Sequence, residues 1–367
     1  MEMEKGYDIG KIAGNFQFRG VFRKAEPNIS GHINDTYIVY YDKGSGVSQR
    51  YILQRINHNV FKEPEKVMEN IIGITRHMRE KIIKAGGDPL RETLNLIPTN
   101  EGGYLHRSED GNYWRGYLFI DGARTYQTVE NKEHFYKAGK AFGNFQRLLS
   151  DYPVENLHET IPNFHNTKMR FDAFVDAVEK DVMNRAKDVK EEIEFALKRA
   201  DDTPILVDLL EKGELPLRVT HNDTKFNNVM IDDKTGEGIC VIDLDTVMPG
   251  LSLYDFGDSI RFGANPAAED ERDLSKVWMD LGLYEQFTRG YLETAGDSLT
   301  RTELEYMPFS AKLMTYECGI RFLTDHLNGD TYFRILRPGH NLDRTRTQFK
   351  LVADMEVKLD QMARIIG

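Results

Sequence analysis

Two cysteines in 367 residues, Cys240 and Cys318, are too few for a disulfide framework. Both lie in apolar stretches, which reads them as small core residues of a protein kept in a reducing compartment. No apolar run approaches the roughly 18–20 residues of a membrane span. The opening MEMEKGYDIG has neither a basic segment nor an apolar one, so no secretory leader is expected and the expected location is cytoplasmic. Positive charge is also in deficit. With 48 Lys+Arg against 59 Asp+Glu the formal charge is −11, which argues against a nucleic-acid or anionic-membrane partner, because either needs a basic face. A small anionic ligand is not excluded, since it meets only local charge. Proline is scarce at 12 residues while hydrophobic residues reach 40%, the balance of a globular chain and not of a disordered or fibrous one. The length exceeds the roughly 250–300 residues at which single cores stop growing, so two domains are expected.

The first third reads as strands. TYIVYY (36–41) and RYILQRI (50–56) flank the turn DKGSG, a hairpin signal. A helix is expected from Pro64, with Val67, Ile71, Ile74 and Met78 on one face, then a second hairpin over 104–121 turning at Glu109–Asn112. From about residue 125 the period changes. Phe135, Ala138, Phe142, Phe145 and Leu149 mark an amphipathic helix. Residues 168–200 predict two helices, with Val182 among the apolar positions. A strand at 217–220 and a hairpin of 228–232 with 238–243 interrupt them, and everything after 250 reads as helical. Trp114 and Trp278 are expected as core or hinge fillers. The division expected is residues 1–122 against 123–367, a small β-rich lobe over a larger helical one, and clefts between such lobes are where ligand sites lie.

The segment VTHNDTKFNNVMIDDKTGEGICVIDLD (219–245) carries the chemistry. Phosphoryl transfer from a nucleotide needs a carboxylate to take the hydroxyl proton and Mg²⁺ held by hard oxygen ligands. His221-x-Asp223 followed by Asn228 five residues on, with Asp243 at the end of the next strand, has the spacing of that machinery. Asp223 is placed as the base, Asn228 and Asp243 as metal ligands, and Asp245 as a further ligand of a metal or its water. His221 reads as a residue that shapes the loop.

These motifs resemble the aminoglycoside phosphotransferase/choline kinase-like family, the small-molecule branch of the protein-kinase-like fold. GHINDTY (31–37), FGNFQRLLSDYP (142–153), IPNFHNT (161–167), VIDLDTVMPG (241–250), YDFGDSIRFG (254–263) and HNLDRTRTQ (340–348) are similar to its N-acetylhexosamine 1-kinase subgroup. The resemblance implies an α+β, two-lobed fold, Asp223 as catalytic base with Lys225 stabilising charge on the transferring phosphoryl group, and an N-acetylhexosamine phosphorylated by ATP at its anomeric hydroxyl.

Two departures from the protein-kinase pattern bear on the nucleotide. No G-x-G-x-x-G is present, and Gly31 with Asn34 is the candidate covering loop. ILQR (52–55) stands where V-A-I-K would, so Arg55 is expected at the phosphates and Leu53 over the adenine, with Glu65 or Glu69 orienting the arginine. Adenine is expected against the 118–122 connector, at Phe119 and Asp121. No long activation segment follows Asp243, which favours a small-molecule acceptor. His32, Asp258, Phe262 and Arg321 are the candidate acceptor residues, and pairing of Asp258 with Arg321 is the competing structural account of that arginine. The rivals are an aminoglycoside, choline or amino-alcohol kinase, and a nucleotide-binding pseudokinase; Asp223, Asn228 and Asp243 together count against the latter.

Overall fold

The computed structural model describes residues 6–28, 33–44, 46–129 and 131–367. The β-branched and aromatic runs near the start form strands β1 (Val21–Asn28), β2 (Asp35–Asp42) and β3 (Ser48–Ile56). With β4 (Leu96–Ile97), β5 (His106–Arg107) and β6 (Tyr113–Leu118) they make one antiparallel sheet in the order β1-β2-β3-β6-β4, β5 also pairing with β6. The second hairpin is β5–β6, with Arg107 opposite Tyr113.

Alternation along the strands gives this sheet two faces. Val39, Tyr41, Tyr51, Leu53 and Trp114 cluster with Phe16, Phe18 and helix α1 (Ile9–Ala13) on the outer one. Ile38, Ile52, Gln54 and Arg115, one residue out of phase, look the other way. This register corrects the expectation for Leu53 and Arg55. They do share a face, but it is the outer one: Leu53 is buried among the aromatics, and Arg55 is held by Asp35 (Nε to Oδ2, 2.5 Å) and Asn112 (3.2 Å). A one-residue slip in reading a strand exchanges its faces.

Helix α2 (Pro64–Lys84) buries the stripe Val67, Ile71, Ile74 and Met78 against a core continuous with the rest of the chain. The chain then runs through β7 (Ala123–Arg124), α3 (Lys132–Leu149), α4 (Thr167–Lys180), α5 (Lys190–Leu197) and α6 (Ile205–Glu211). Strand β8 (Arg218–Thr220) pairs with β11 (Met248–Gly250), a bridge not anticipated around Pro249. Between them the hairpin β9 (Val229–Asp232) and β10 (Gly238–Val241) takes β7 on its free edge. Helices α7 (Ser252–Gly263), α8 (Leu281–Ala295), α9 (Arg301–Leu327) and α10 (His340–Ile366) complete a β-sheet lobe followed by a helical one. Val182 is 61% exposed, so it is not the core residue expected; of the two tryptophans expected as core or hinge fillers, Trp114 is fully buried and Trp278 is 41% exposed. Among the described residues no helix is long and apolar enough to cross a membrane.

Helices α3 and α8 approach backbone to backbone. A Cβ at Gly290 would run into the carbonyl oxygen of Tyr136, and one at Gly139 into that of Phe287. Rotamer changes cannot relieve a clash with main chain, so Gly290→Ala must part the two helices. Overpacking of this kind costs about 1–3 kcal/mol; the melting temperature of Gly290→Ala should fall accordingly, while Gly296→Ala, which meets only a side-chain carbon at 3.9 Å, should melt near the parent.

Candidate active site

The loop between β8 and β9 carries Asp223, and a buried carboxylate on α7 shapes it. Asp255 Oδ2 accepts the N–H of His221 (2.8 Å) and Nε2 of Gln146 (2.8 Å), and its Oδ1 accepts the N–H of Asn222 (2.8 Å). Asn222 sits at φ 63°, a left-handed conformation that Asn tolerates better than most residues. The Thr224 hydroxyl donates to the Asp255 carbonyl at 2.5 Å, and Ser259 donates to the Thr224 carbonyl at 2.9 Å. His221, wholly buried between Phe142 and Phe145, accepts from the Asp223 N–H through Nδ1 (3.3 Å) and donates from Nε2 to the Ile242 carbonyl (2.9 Å). Both ring nitrogens are occupied by backbone, so this histidine ties the loop to the strand leading to Asp243.

Asp223 Oδ1 lies 2.7 Å from Lys225 Nζ. Burial alone would raise the Asp223 carboxyl, but the Lys225 charge and hydrogen bond hold it below the usual carboxylate range; Asp223 in turn raises the Lys225 ammonium. Asn228 turns Nδ2 to the Asp223 carbonyl (2.8 Å) and Oδ2 (3.2 Å), leaving its Oδ1 as the end available to a cation. Asp243 is at φ 61°, and its carboxylate opens onto the cleft without a hydrogen bond or ion pair among the described residues. The walls around it, then the carboxylates of Asp245 and Asp223, push the Asp243 carboxyl up to about 6. One oxygen from Asn228 and a carboxylate under like-charge repulsion fit a divalent ion completed by phosphate and water. Among the described residues no three His, Cys, Asp or Glu side chains close around one point.

Asp245 does not join that pair, which corrects its assignment as a metal ligand. It is 3% exposed; Arg115 Nη2 lies 2.5 Å from its Oδ1, and Asn34 Nδ2 donates to its Oδ2 at 2.5 Å. Asn34 also accepts from the Asn57 N–H through Oδ1 (2.9 Å), so both ends of its amide are spent inside the fold. Neither proposed glutamate meets Arg55. Glu65 is exposed, and Glu69 binds His158 Nε2 at 2.6 Å, because α2 packs on the face opposite to Arg55. At the connector, the Arg50 guanidinium lies 4.0 Å over the Phe119 ring and Arg50 Nε donates to Asp121 at 3.0 Å. Ile38 and Ile52, partly exposed on the inner face, are the apolar surface facing the cleft that Leu53 had been expected to supply. Gly31 and His32 lie outside the described residues.

On the helical side Asp258 pairs with Arg261 (Oδ1 to Nε, 2.8 Å), and Arg261 continues to Glu269 (2.9 Å). The expected Asp258–Arg321 pair does not form. Arg321 sits over the rings of Phe164 (5.4 Å) and Phe333 (5.6 Å) and has no ion pair among the described residues. Phe262 is partly buried against the core. One turn before Arg321, Glu317 takes His165 Nδ1 (2.8 Å) and the Thr167 hydroxyl (2.6 Å), and His165 Nε2 faces the Asn222 carbonyl at 3.4 Å. This chain of contacts joins α9 to the loop of Asp223. Burial pushes the Cys318 thiol, beside Arg261, up to about 11, a packing residue and not a nucleophile. Asp255, Gln146, Arg115 and Glu317 escaped the sequence reading. Arg115 (YWRGYLF) and Glu317 (MTYECGI) are charges in largely apolar stretches, a signal on which only Arg321 was singled out; Asp255 and Gln146 have polar neighbours in sequence and gave no such signal.

The raised Asp243 carboxyl has a consequence without any metal. A carboxyl whose folded value of about 6 stands above its ordinary 3.8 opposes folding in full above about pH 6; the opposition fades as pH falls from there and is gone only below the ordinary value. Asp243→Asn should therefore raise the melting temperature of metal-free protein at pH 7.5, with the gain shrinking at pH 5. An equal gain at both would show that the repulsion is absent.

Residues 24–293 match the model of the phosphotransferase enzyme family. Among curated proteins, a subtilisin-like protease of Coccidioides posadasii is 26% identical over 145 residues, 37% of this chain and 35% of that protein, so the match spans about a third of either. Solved structures align over nearly the whole length. Amicoumacin kinase hAmiN in complex with AMP-PNP, Ca²⁺ and Ami is 15% identical, with 96% of this chain and 94% of that one covered at a TM-score of 0.58. Spectinomycin phosphotransferase with ADP and its antibiotic is 12% identical, with 96% and 98% covered and a TM-score of 0.58. An ethanolamine kinase of Plasmodium vivax is 16% identical, with 89% and 82% covered and a TM-score of 0.53. The chain shares the kinase-like fold of these proteins and belongs to the phosphotransferase enzyme family.

Proposed function

We propose that this chain is an ATP- and Mg²⁺-dependent kinase of a small hydroxyl compound, with the nucleotide in the cleft between a lobe of residues 1–122 and one of 123–367. The observation that carries this reading is the convergence of Asp223, Lys225, Asn228 and Asp243 at one loop and one strand end. Asp223 Oδ2 receives the proton of the acceptor hydroxyl as its oxygen attacks the terminal phosphorus and the bond to the leaving ADP oxygen breaks. Lys225, 2.7 Å from Asp223, offsets charge on the transferred group. Asn228 and Asp243 would hold the metal, which when bound would offset charge on the phosphate oxygens.

The acceptor favoured is an N-acetylhexosamine, phosphorylated at its anomeric hydroxyl. Its support is the subgroup resemblance of six segments, together with the charge on the helical wall. There Asp258, Glu269 and Glu317 are each already met by Arg261 or His165, while Arg321 is unpaired among the described residues. An ammonium acceptor wants free carboxylate; a sugar bearing an acetamido carbonyl and hydroxyl lone pairs suits a free guanidinium.

Asp223→Asn should lower kcat by at least about a thousandfold, the scale of general-base and positioning losses, with ADP affinity within about twofold of the parent. Near-normal turnover would remove Asp223 from the reaction. Phosphorus NMR of products from a panel of hexosamines, aminoglycosides and amino alcohols should show an anomeric phosphate from an N-acetylhexosamine; a phosphate on an amino alcohol alone would transfer the chain to the other acceptor class. Arg321→Ala should raise the acceptor KM about tenfold, as loss of a charged hydrogen bond does, and leave the ATP KM unchanged.

A further inference from the structure

Strand β3 carries Arg50 on the same face as Ile52 and Gln54, but at the connector end, where Asp121 pairs with it; beside the inner apolar pair its inward residue is Gln54, and Arg55 faces the other way. The positive charge next to Gln54 comes from the neighbouring strand. Arg115 on β6 lies directly opposite Gln54 and is 1% exposed. Its Nε and Nη2 donate to Gln54 Oε1 (3.0 and 2.6 Å), and its Nη2 lies 2.5 Å from Asp245 Oδ1. Nη1 faces the Met68 sulfur of α2 at 3.9 Å. Thus the helix that would carry an orienting glutamate presents a thioether, and the counter-carboxylate comes from the loop of Asp243 instead. Only the three-residue turn Leu244–Thr246 follows Asp243, and Asp245 is in it.

A buried ion pair is weak support for stability, since apolar residues of the same volume usually do as well. Its position gives it another effect. Without Arg115 the cleft floor would hold the carboxylates of Asp223, Asp243 and Asp245 against the single ammonium of Lys225. With Arg115, Asp245 is neutralised and Asp243 alone faces an incoming metal with a free charge.

We propose that Arg115 is a positioning residue for phosphoryl transfer: from β6 it carries the positive charge that the protein-kinase pattern puts on β3, and it acts through Asp245 to set the charge that Asp243 presents to a metal–nucleotide complex. This rests on the kinase reading above.

The test compares the parent with R115M, D245N and the double variant by calorimetry, using Mn²⁺ alone and ADP in EDTA as separate probes. R115M leaves an extra negative charge, so Mn²⁺ should bind more tightly and metal-free ADP more weakly, each by roughly fivefold for a screened unit charge at short range. D245N leaves an extra positive charge and should shift both probes the opposite way. The double variant, its charge restored, should return both to within about twofold of the parent. A packing role predicts that both single variants weaken both probes, and that result would overturn the inference. So would ADP binding as weak in the double variant as in R115M, which would mean direct contact of Arg115 with phosphate. Should R115M not fold, opposite shifts of the two probes in D245N support the inference and parallel shifts overturn it. A parent that binds no ADP at all would refute the kinase reading; a parent that binds it, with probes that do not separate in the variants, refutes this inference alone.

Discussion

Backbone N–H groups at a tight loop have no ladder to join, and here two of them, from His221 and the left-handed Asn222, end on the single buried carboxylate of Asp255. That arrangement decides where Asp223 points. The Asp255 oxygens also take Gln146 from α3, so the loop, α7 and α3 are locked through one group. Burial pushes the Asp255 carboxyl up while these donors pull it down; losing any one of them would leave a polar group unpaired away from water, which costs more than a hydrogen bond contributes. His221 extends the lock to the Ile242 carbonyl, and Asp243 follows directly. Asp223 and Asp243, the proposed base and metal ligand, are therefore positioned by one connected network and not by two independent strands.

Charge in the cleft is distributed by pairing. Asp223 has Lys225, Asp245 has Arg115, Asp258 has Arg261, and Glu317 has His165. Two groups stand outside the scheme among the described residues: Asp243 and Arg321. Asp243 is exposed and Arg321 partly so, so both charges are open to a ligand, and these two lie where the metal and the acceptor are proposed. The acidic surplus of the chain thus says little about the site, because the local balance differs from the global one.

How much was legible in the residues differs between the two lobes. The hairpins, the stripe of α2 and the helix over 132–149 could be read because periodicity of two or about 3.6 is a local property of the chain. The catalytic loop was readable for a related reason: its chemistry requires particular residue types at short fixed spacing. Leu53 and Arg55 were misread because nothing local tells which face of a strand looks inward; aromatics from residues 16, 18, 41 and 114 settle that. Asp245 was misread because its partner, Arg115, is 130 positions away and belongs to another lobe. Arg321 stood out as an arginine in an apolar helix, but Asp258, the carboxylate weighed as its partner, does not meet it, since Asp258 finds Arg261 one turn along its own helix.

Sequence alone determined the main hairpins and long helices and the reaction class suggested by Asp223, Asn228 and Asp243, because each follows from residue identity and spacing within a short stretch, and its charge count argued against a broadly basic binding surface. Tertiary structure decided which face of β3 meets the cleft, that Arg115 and not Arg55 lies on that face, that Asp245 is paired with Arg115, and that Arg321 has no carboxylate partner among the described residues. The physical reason is the same in each case: a charge is assigned by the nearest opposite charge in space, and burial, which makes that pairing obligatory, exists only after the chain has folded.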